Sequence, residues 1–424
     1  MKRLLCSVLA LMLLMLGTCT PALAEKLVDS GDVGTIHWEL DSKGKLTVTG
    51  TGKIEIIPAT KYYAKKIKSI EIGDDITEIG DGAFGSMQTL TKITIGAKVR
   101  YIHFGAFSTC CKVQSIEFRG DQVTENFEFL SNMMSNKLKE VIYPETAHIV
   151  VENGMVFSED KKLLFTLLQA APKSLYIPTG TEQFGDHAIC DSRVQEVFLP
   201  QSINTFSSVA FSFCSQLTNV YFLDIASTLH LSGIYPLIIC RCGVNRLTLP
   251  PFVIDNSWSS SSIIDDCNRL KYLALGEGTQ TLGYQAITRC PALEKLYLPQ
   301  SITEISDNAI DYSPKLTLMV REGSYAETFA KENGFKYAYF TPVSGIELSE
   351  QALTLKKGKS VALTAEIAPA DATEQTLIWC SSDPKVATVT KGKVKAVGVG
   401  SCEIICYASD GSNARTVCSL TVEK

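Results

Sequence analysis

A 23-residue repeat constrains this chain more than any other feature. "IKSIEIGDDITEIGDGAFGSMQTL" (67–90) runs straight into "LTKITIGAKVRYIHFGAFSTCCKV" (90–113), and the spacing returns at 194–217, 270–293 and 293–316. Counting each first residue as zero, positions 3 and 5 are apolar, as in Ile70 and Ile72, Ile93 and Ile95, or Leu296 and Leu298. That alternation is a short strand with one buried face. Position 6 is Gly or Pro, which ends the strand. Positions 9 and 12 are usually apolar, and positions 16 and 17 are Ala plus a large residue, such as Ala83-Phe84 or Ala210-Phe211.

One such unit cannot stand alone. Ordering ~23 residues costs more than burying its ~7 apolar side chains returns. Stacked copies share a continuous core and a continuous ladder, so the repeats predict a solenoid. About eleven short parallel strands, ~4.8 Å apart, would make it ~50 Å long. The register is interrupted by a 25-residue third repeat (113–138) and by the stretches 148–178 and 217–270. Insertions of this kind project as loops, often on a binding face.

Solenoid ends need caps. Residues 25–66 contain "IHWELDSKGKLTVTG", two alternating runs around Ser42-Lys43-Gly44, which read as a β-hairpin covering the first rung. At the other end, "REGSYAETFAKENGFKYAYF" reads as a short helix with Ser324 as N-cap and Gly334 as its stop. After Thr341-Pro342 the chain becomes a series of short alternating strands split by Lys-Gly, Asp-Pro and Asp-Gly turns. Those strands predict a β-sandwich of about 80 residues.

These motifs carry a resemblance. Residues 67–340 resemble the BspA-type leucine-rich repeat family, through "ITEIGDGAF" (76–84), "AFSFCSQL" (210–217), "VVENGMVFSEDKKLL" (150–164) and "GSYAETFAKENGFK" (323–336). Residues 343–424 resemble the group-2 bacterial immunoglobulin-like domain, through "WCSSDPKVATVTKGKVKAVGVGSCEI" (379–404). The fold expected is therefore mainly β: a leucine-rich repeat solenoid with an N-terminal β-hairpin cap and a C-terminal helical cap, then an Ig-like sandwich. The resemblance also implies a bacterial protein that is secreted or displayed on the cell surface, and some members are similar to adhesins. A fold is not a site.

Residues 1–24 read as a signal peptide. Lys2 and Arg3 precede an apolar run from Leu4 to Leu16, and Ala22-Leu23-Ala24 is a cleavage motif. Its removal would shift the net charge from −5 to −7, which argues against nucleic acid or an anionic membrane as partner. No later apolar run is long enough to span a membrane.

Of the 14 cysteines, Cys110, Cys214, Cys267 and Cys290 recur three residues before an anchor. They read as a buried column of free thiols. Cys240-Arg241-Cys242 has no partner pair for zinc. On the last two strands, Cys402, Ile404 and Cys406, and then Cys418, Leu420 and Val422, alternate inward. A turn centred near Ser412 would set Cys406 opposite Cys418, leaving a disulfide or a buried thiol pair open there.

The five histidines are scattered, and no nucleophile elbow, zinc helix or P-loop is present, so neither an enzyme nor a cofactor is expected. Two features remain as candidate binding residues. Trp258 lies in "DNSWSSSS", inside an irregular stretch. Arg119-Gly120-Asp121 resembles an integrin-binding tripeptide but occupies positions 6 to 8 of its repeat, the strand-exit turn, where it should face solvent. The leading expectation is an adhesin-like protein that binds an extracellular protein or glycan through the solenoid, with the sandwich as spacer. The alternative is a polysaccharide-binding or envelope scaffold protein, and a secreted hydrolase ranks third.

Overall fold

A computed structural model describes residues 26–121, 127, 129–206, 209–231, 237–254 and 262–424. The repeats wind into a solenoid of about twelve turns. A full turn is roughly triangular in its strand pattern. Positions 2 to 5 make the strand of the first face, as in Ser69–Ile72, Lys92–Ile95 and Ser115–Phe118, which pair in parallel register. Positions 9 to 12 make a second, shorter strand, as in Ile76–Ile79 beside Tyr101–Ile102. In the C-terminal half a third two-residue strand forms at the Ala-plus-large pair, as in Ile189–Cys190, Phe211–Ser212 and Ile239–Cys240. The single strand per rung expected from the sequence is thus one of up to three. The chain turns inward at three apolar points per repeat, and each straight segment between them meets its copy on the next rung.

Both caps are present. Leu27–Val33, Ile36–Asp41 and Lys45–Gly50 form an antiparallel meander whose last strand pairs in parallel with Ser69–Ile72. The hairpin turn sits at Ser42–Gly44, where the Asp41 carboxylate accepts the N–H groups of Lys43 and Lys45 at 2.8 and 2.9 Å. At the far end the helix Tyr325–Glu332 starts at Ser324, whose hydroxyl accepts the Glu327 N–H at 3.2 Å. Glu327 in turn accepts the N–H of Gly323, the residue before the cap, at 2.6 Å, a variant of the capping box. Lys331 and the Tyr339 hydroxyl also donate to this buried carboxylate, and with Gly323 they hold it at about 2.

The solenoid core is divided. Ile149–Glu152, Met155–Ser158 and Leu163–Leu167 form an antiparallel meander within the first irregular stretch. Successive side chains on a strand point to opposite faces. Accordingly Val156 and Phe165 join the core of residues 36–168, while Met155, Phe157 and Leu164 join the core that continues to the C-terminal cap. The first-face ladder stops at Glu140–Ile142 and restarts at Ser174–Tyr176.

The last 80 residues form the sandwich. One sheet runs Ala352–Lys356, Arg415–Glu423, Gly400–Ala408, Leu377–Ser381 in spatial order, and Ser360–Ala362, Lys393–Ala396 and Ala387–Thr390 make a second. Its core holds Ile404, Cys406, Cys418, Leu420 and Val422, the inward set read from the sequence. The cross-strand partners differ from those expected. Cys406 lies opposite Thr416, and Cys418 opposite Ile404, because the connection is centred on Gly411, not Ser412. All cysteines from Cys110 to Cys418 are free thiols.

Candidate ligand cleft between repeats and sandwich

The outward side chains of the first face change character along the solenoid. Paired rung to rung, they run Thr47, Glu71, Thr94, Glu117 and Ile142 in the N-terminal half. After the meander they become Tyr176, Phe198 and Tyr221, then Thr248, Ala274, Tyr297 and Met319. The first set is laced by ion pairs, Lys45 and Arg119 to Glu71 at 2.5 Å each and Lys92 to Glu117 at 3.3 Å. In the second set Thr248, Ala274 and Tyr297 are buried against the sandwich.

The two modules share a core. Cys380, Ile405 and Tyr407 point away from the sandwich interior and are buried with the solenoid's apolar residues. Polar contacts ring this patch. Arg246 lies over the Tyr272 ring at 4.3 Å, donates to the Ser409 hydroxyl at 3.0 Å and pairs with Glu374 at 3.4 Å. The Tyr297 hydroxyl donates to the same carboxylate at 3.3 Å. Thr248 Oγ1 donates to the Ser409 carbonyl at 3.0 Å, and Asn413 Nδ2 to the Glu277 carbonyl at 2.6 Å. Arg415 pairs with Asp224 at 3.3 Å. Gly411, at φ +82°, comes so close that an added Cβ would lie 2.4 Å from the Leu275 carbonyl oxygen. A spacer would extend away from the repeats; this sandwich is seated on them.

Beside the contact patch the modules leave a cleft of about 540 Å³. Its floor is the separate three-stranded ladder Ser174–Tyr176, Glu196–Leu199 and Asn219–Phe222. Tyr176 stacks on Phe198 at 3.9 Å and 5°, and Phe198 on Tyr221 at 4.6 Å and 22°. Glu196 stands among these rings and accepts from Ser174 Oγ at 2.8 Å and the Tyr221 hydroxyl at 3.3 Å. Burial and the nearby Glu196 carboxylate push both tyrosine hydroxyls up, so they remain protonated donors. The wall is the sandwich strand Leu377–Ser381 with Pro384 and residues 388–391. Trp379 is only partly buried and lines this wall while packing on the sandwich interior. Pockets that bind small molecules favour domain interfaces, and they combine apolar walls with a few placed polar groups.

Of the candidate residues from the sequence, Arg119, Gly120 and Asp121 fall elsewhere. Trp258 lies outside the described residues. In Arg119-Gly120-Asp121 only the arginine is exposed; Gly120 and Asp121 are half-buried. Arg119 reaches two rungs back to Glu71 at 2.5 Å and Asp74 at 3.7 Å. A Cβ on Gly120 would lie 2.0 Å from the Ala97 carbonyl oxygen. Gly120→Ala, the usual control for such a tripeptide, should therefore cost about 1–3 kcal/mol through backbone displacement. An unchanged thermal midpoint in that variant would contradict the stacking.

The thiol column is present, and Cys110, Cys214, Cys267 and Cys290 are buried. The structure adds Cys242, which an irregular spacing hid. Each column residue follows a non-glycine in the left-handed region, Thr109, Phe213, Arg241, Asp266 and Arg289, with φ between 50° and 56°. The thiols are hydrogen-bonded donors, as in Cys110 Sγ to the Phe84 carbonyl at 3.2 Å and Cys214 Sγ to that of Ile189 at 3.2 Å. Burial pushes the Cys110 thiol up to about 11 and Cys290 to about 12, away from reactivity. Among the described residues no three His, Cys, Asp or Glu side chains are grouped to hold a metal ion.

Repeated parallel rungs, two caps and an appended sandwich define a solenoid repeat protein with an Ig-like module. The family comparison is specific. The BspA-type leucine-rich repeat region matches residues 55–164, 165–253 and 231–317, in six copies, and the group-2 bacterial Ig-like domain matches 342–418. The repeat match covers more than half of the chain, which belongs to the BspA-type leucine-rich repeat family.

Among curated proteins, the chain is 44% identical over 80 residues to the lacto-N-biosidase of Bifidobacterium bifidum, covering 19% of this chain and 7% of that protein. It is 39% identical over 82 residues to an Ig-like virion protein of Serratia phage KSP90, covering 19% of this chain and 31% of that one. The chain thus spans less than a third of these relatives. Among solved structures it is similar to the pneumococcal vaccine antigen PcpA, with TM-score 0.45 and 13% identity over 74% of this chain and 99% of that one. A leucine-rich cell surface protein of Faecalibacterium prausnitzii A2-165 gives TM-score 0.36 and 17% identity over 71% and 96%.

Proposed function

We propose that the protein is an exported, surface-displayed bacterial binding protein, adhesin-like in action, that recognises an extracellular macromolecule at the cleft between its repeats and its sandwich. The observation that carries this reading is the cleft itself: about 540 Å³, built by both modules, and lined by stacked rings around a single carboxylate. The seated sandwich is then part of the recognition surface. Hydrolysis of a glycosidic bond ordinarily needs two carboxyl groups across the bond. Among the described residues lining the cleft only Glu196 supplies one, which favours capture without turnover. The family membership supports a surface repeat protein in general terms. The signal-peptide reading of residues 1–24 supports export, and the net negative charge supports a partner other than nucleic acid.

The test is a binding screen of the purified chain against immobilised matrix glycoproteins, mucins and bacterial polysaccharides. At least one should bind at micromolar concentration, and Ser174→Trp, which places bulk on the exposed edge of the cleft floor, should remove that binding. Binding that survives Ser174→Trp, or no binding to any of them, would count against the reading.

A further inference from the structure

The cleft's chemistry narrows its ligand. Its floor strands use their backbone groups in the parallel ladder, Ser174 to Glu196 to Asn219 and Tyr176 to Phe198 to Tyr221. An extended peptide would therefore find free main-chain partners only along the outer sides of the two edge strands, not across the floor itself. What the floor offers is side chains: ring faces beside hydroxyl, carboxylate and amide groups. Ser174–Tyr176 and Asn219–Phe222 are the two edge strands of this ladder. Among the described residues the ladder has no further strand beyond Tyr176 or Tyr221, the two ends of the three-ring stack.

A ring face carries negative quadrupole potential and attracts the weakly positive C–H edges of an apolar surface. The flat face of a pyranose is such a surface, and its rim is a ring of hydroxyls. The Glu196 carboxylate already accepts from Ser174 and Tyr221, and ionised oxygens have further lone pairs for sugar hydroxyls. Asn219 and the hydroxyls of Thr388 and Thr390 add donors and acceptors around the cleft. A space of about 540 Å³ lies within the range of small-ligand pockets, enough for roughly one or two sugar rings.

We propose that the interdomain cleft is a carbohydrate site for neutral pyranosides, with a ring seated at the Tyr176–Phe198–Tyr221 stack and Glu196 as hydrogen-bond acceptor. This rests on the cleft being the recognition surface and names its ligand class.

The experiment titrates the full chain with a panel of neutral methyl pyranosides and disaccharides, by calorimetry and by ligand-observed NMR. At least one should bind in the micromolar to millimolar range usual for shallow sites. Glu196→Gln, isosteric and on an outward position, should weaken it about tenfold or more, since hydrogen bonds to a charged group are the stronger kind. Tyr221→Phe should weaken it less, and Lys98→Ala, on the distant N-terminal half, should leave it unchanged. Thermal midpoints of all three report that the fold is intact. No binding at millimolar sugar, or binding indifferent to Glu196→Gln, overturns the proposal. If a macromolecule from the screen is lost with Ser174→Trp yet still binds after enzymatic deglycosylation, the cleft stands as the recognition surface and the sugar assignment falls.

Discussion

Arg246→Ala should lower the stability of the assembled chain by about 2–4 kcal/mol, more than any surface ion pair would predict. The reason is what it leaves behind. Glu374 is 11% exposed at its side chain and has its carboxylate between the modules. Without the guanidinium it keeps the Tyr297 hydroxyl and the Thr376 N–H and hydroxyl, none of them charged. Removing one member of a largely buried pair costs more than the pair contributed, because the other charge stays desolvated. Arg246→Ala combined with Glu374→Ala should therefore cost less than the sum of the two single changes, with a coupling of about 1–3 kcal/mol. Urea unfolding of the four proteins measures it. A loss within about 0.5 kcal/mol for Arg246→Ala would mean the seam does not depend on this pair.

The same carboxylate gives the seam a pH dependence. Burial pushes Glu374 up, but the Thr376 hydroxyl and N–H and the Arg246 guanidinium outweigh burial and leave it below the ordinary glutamate value. A carboxylate lowered in the folded state contributes stability above its unfolded value and loses it as pH falls through the folded one. Docking of the sandwich should thus be complete near neutrality and weaken below about pH 4. Hydrogen exchange at Arg246–Thr248 and at 405–411 would report it, and Glu374→Gln should flatten the profile.

Phe107→Ala should cost about 3–5 kcal/mol and do so in one half of the molecule. Phe107 is fully buried, 5.3 Å from Phe84 and 5.8 Å from Phe129, one ring per turn. A solenoid is stabilised mainly by contacts between neighbouring turns, so damage propagates along the stack until a boundary. The meander at 149–167 is that boundary, with alternate side chains serving two separate cores. Exchange protection should fall across residues 36–168 and hold across 175–320. A uniform loss along the whole chain would show that the two cores unfold as one.

Much of this was legible in the sequence because periodicity reports local burial. The 23-residue spacing located Ile70, Ile72, Ala83 and Phe84 correctly on the inside, and the alternation around Cys402 and Cys418 located the sandwich core. Less legible was anything set by a partner element. Cys242 belongs to the thiol column but sits in a turn of irregular length. The Cys406–Cys418 register failed by one residue in the turn, and each residue of slip moves a cross-strand partner. The seam left a signal that repeat counting at positions 3 and 5 passed over. Position 4 is Glu71, Thr94 and Glu117 in early repeats but Phe198, Ala274 and Tyr297 in later ones. A strand apolar at every position is covered on both faces.

The sequence by itself determined the solenoid, its caps, the sandwich and the buried thiols, because each follows from patterns within one or two repeats. Only the tertiary structure decided where the sandwich rests, that Arg119 is held by Glu71 two rungs away, and that Tyr176, Tyr221, Glu196 and Trp379 meet around one cleft. Those residues lie as far as 203 positions apart, and no local period relates a repeat's outward face to a module that follows it in the chain.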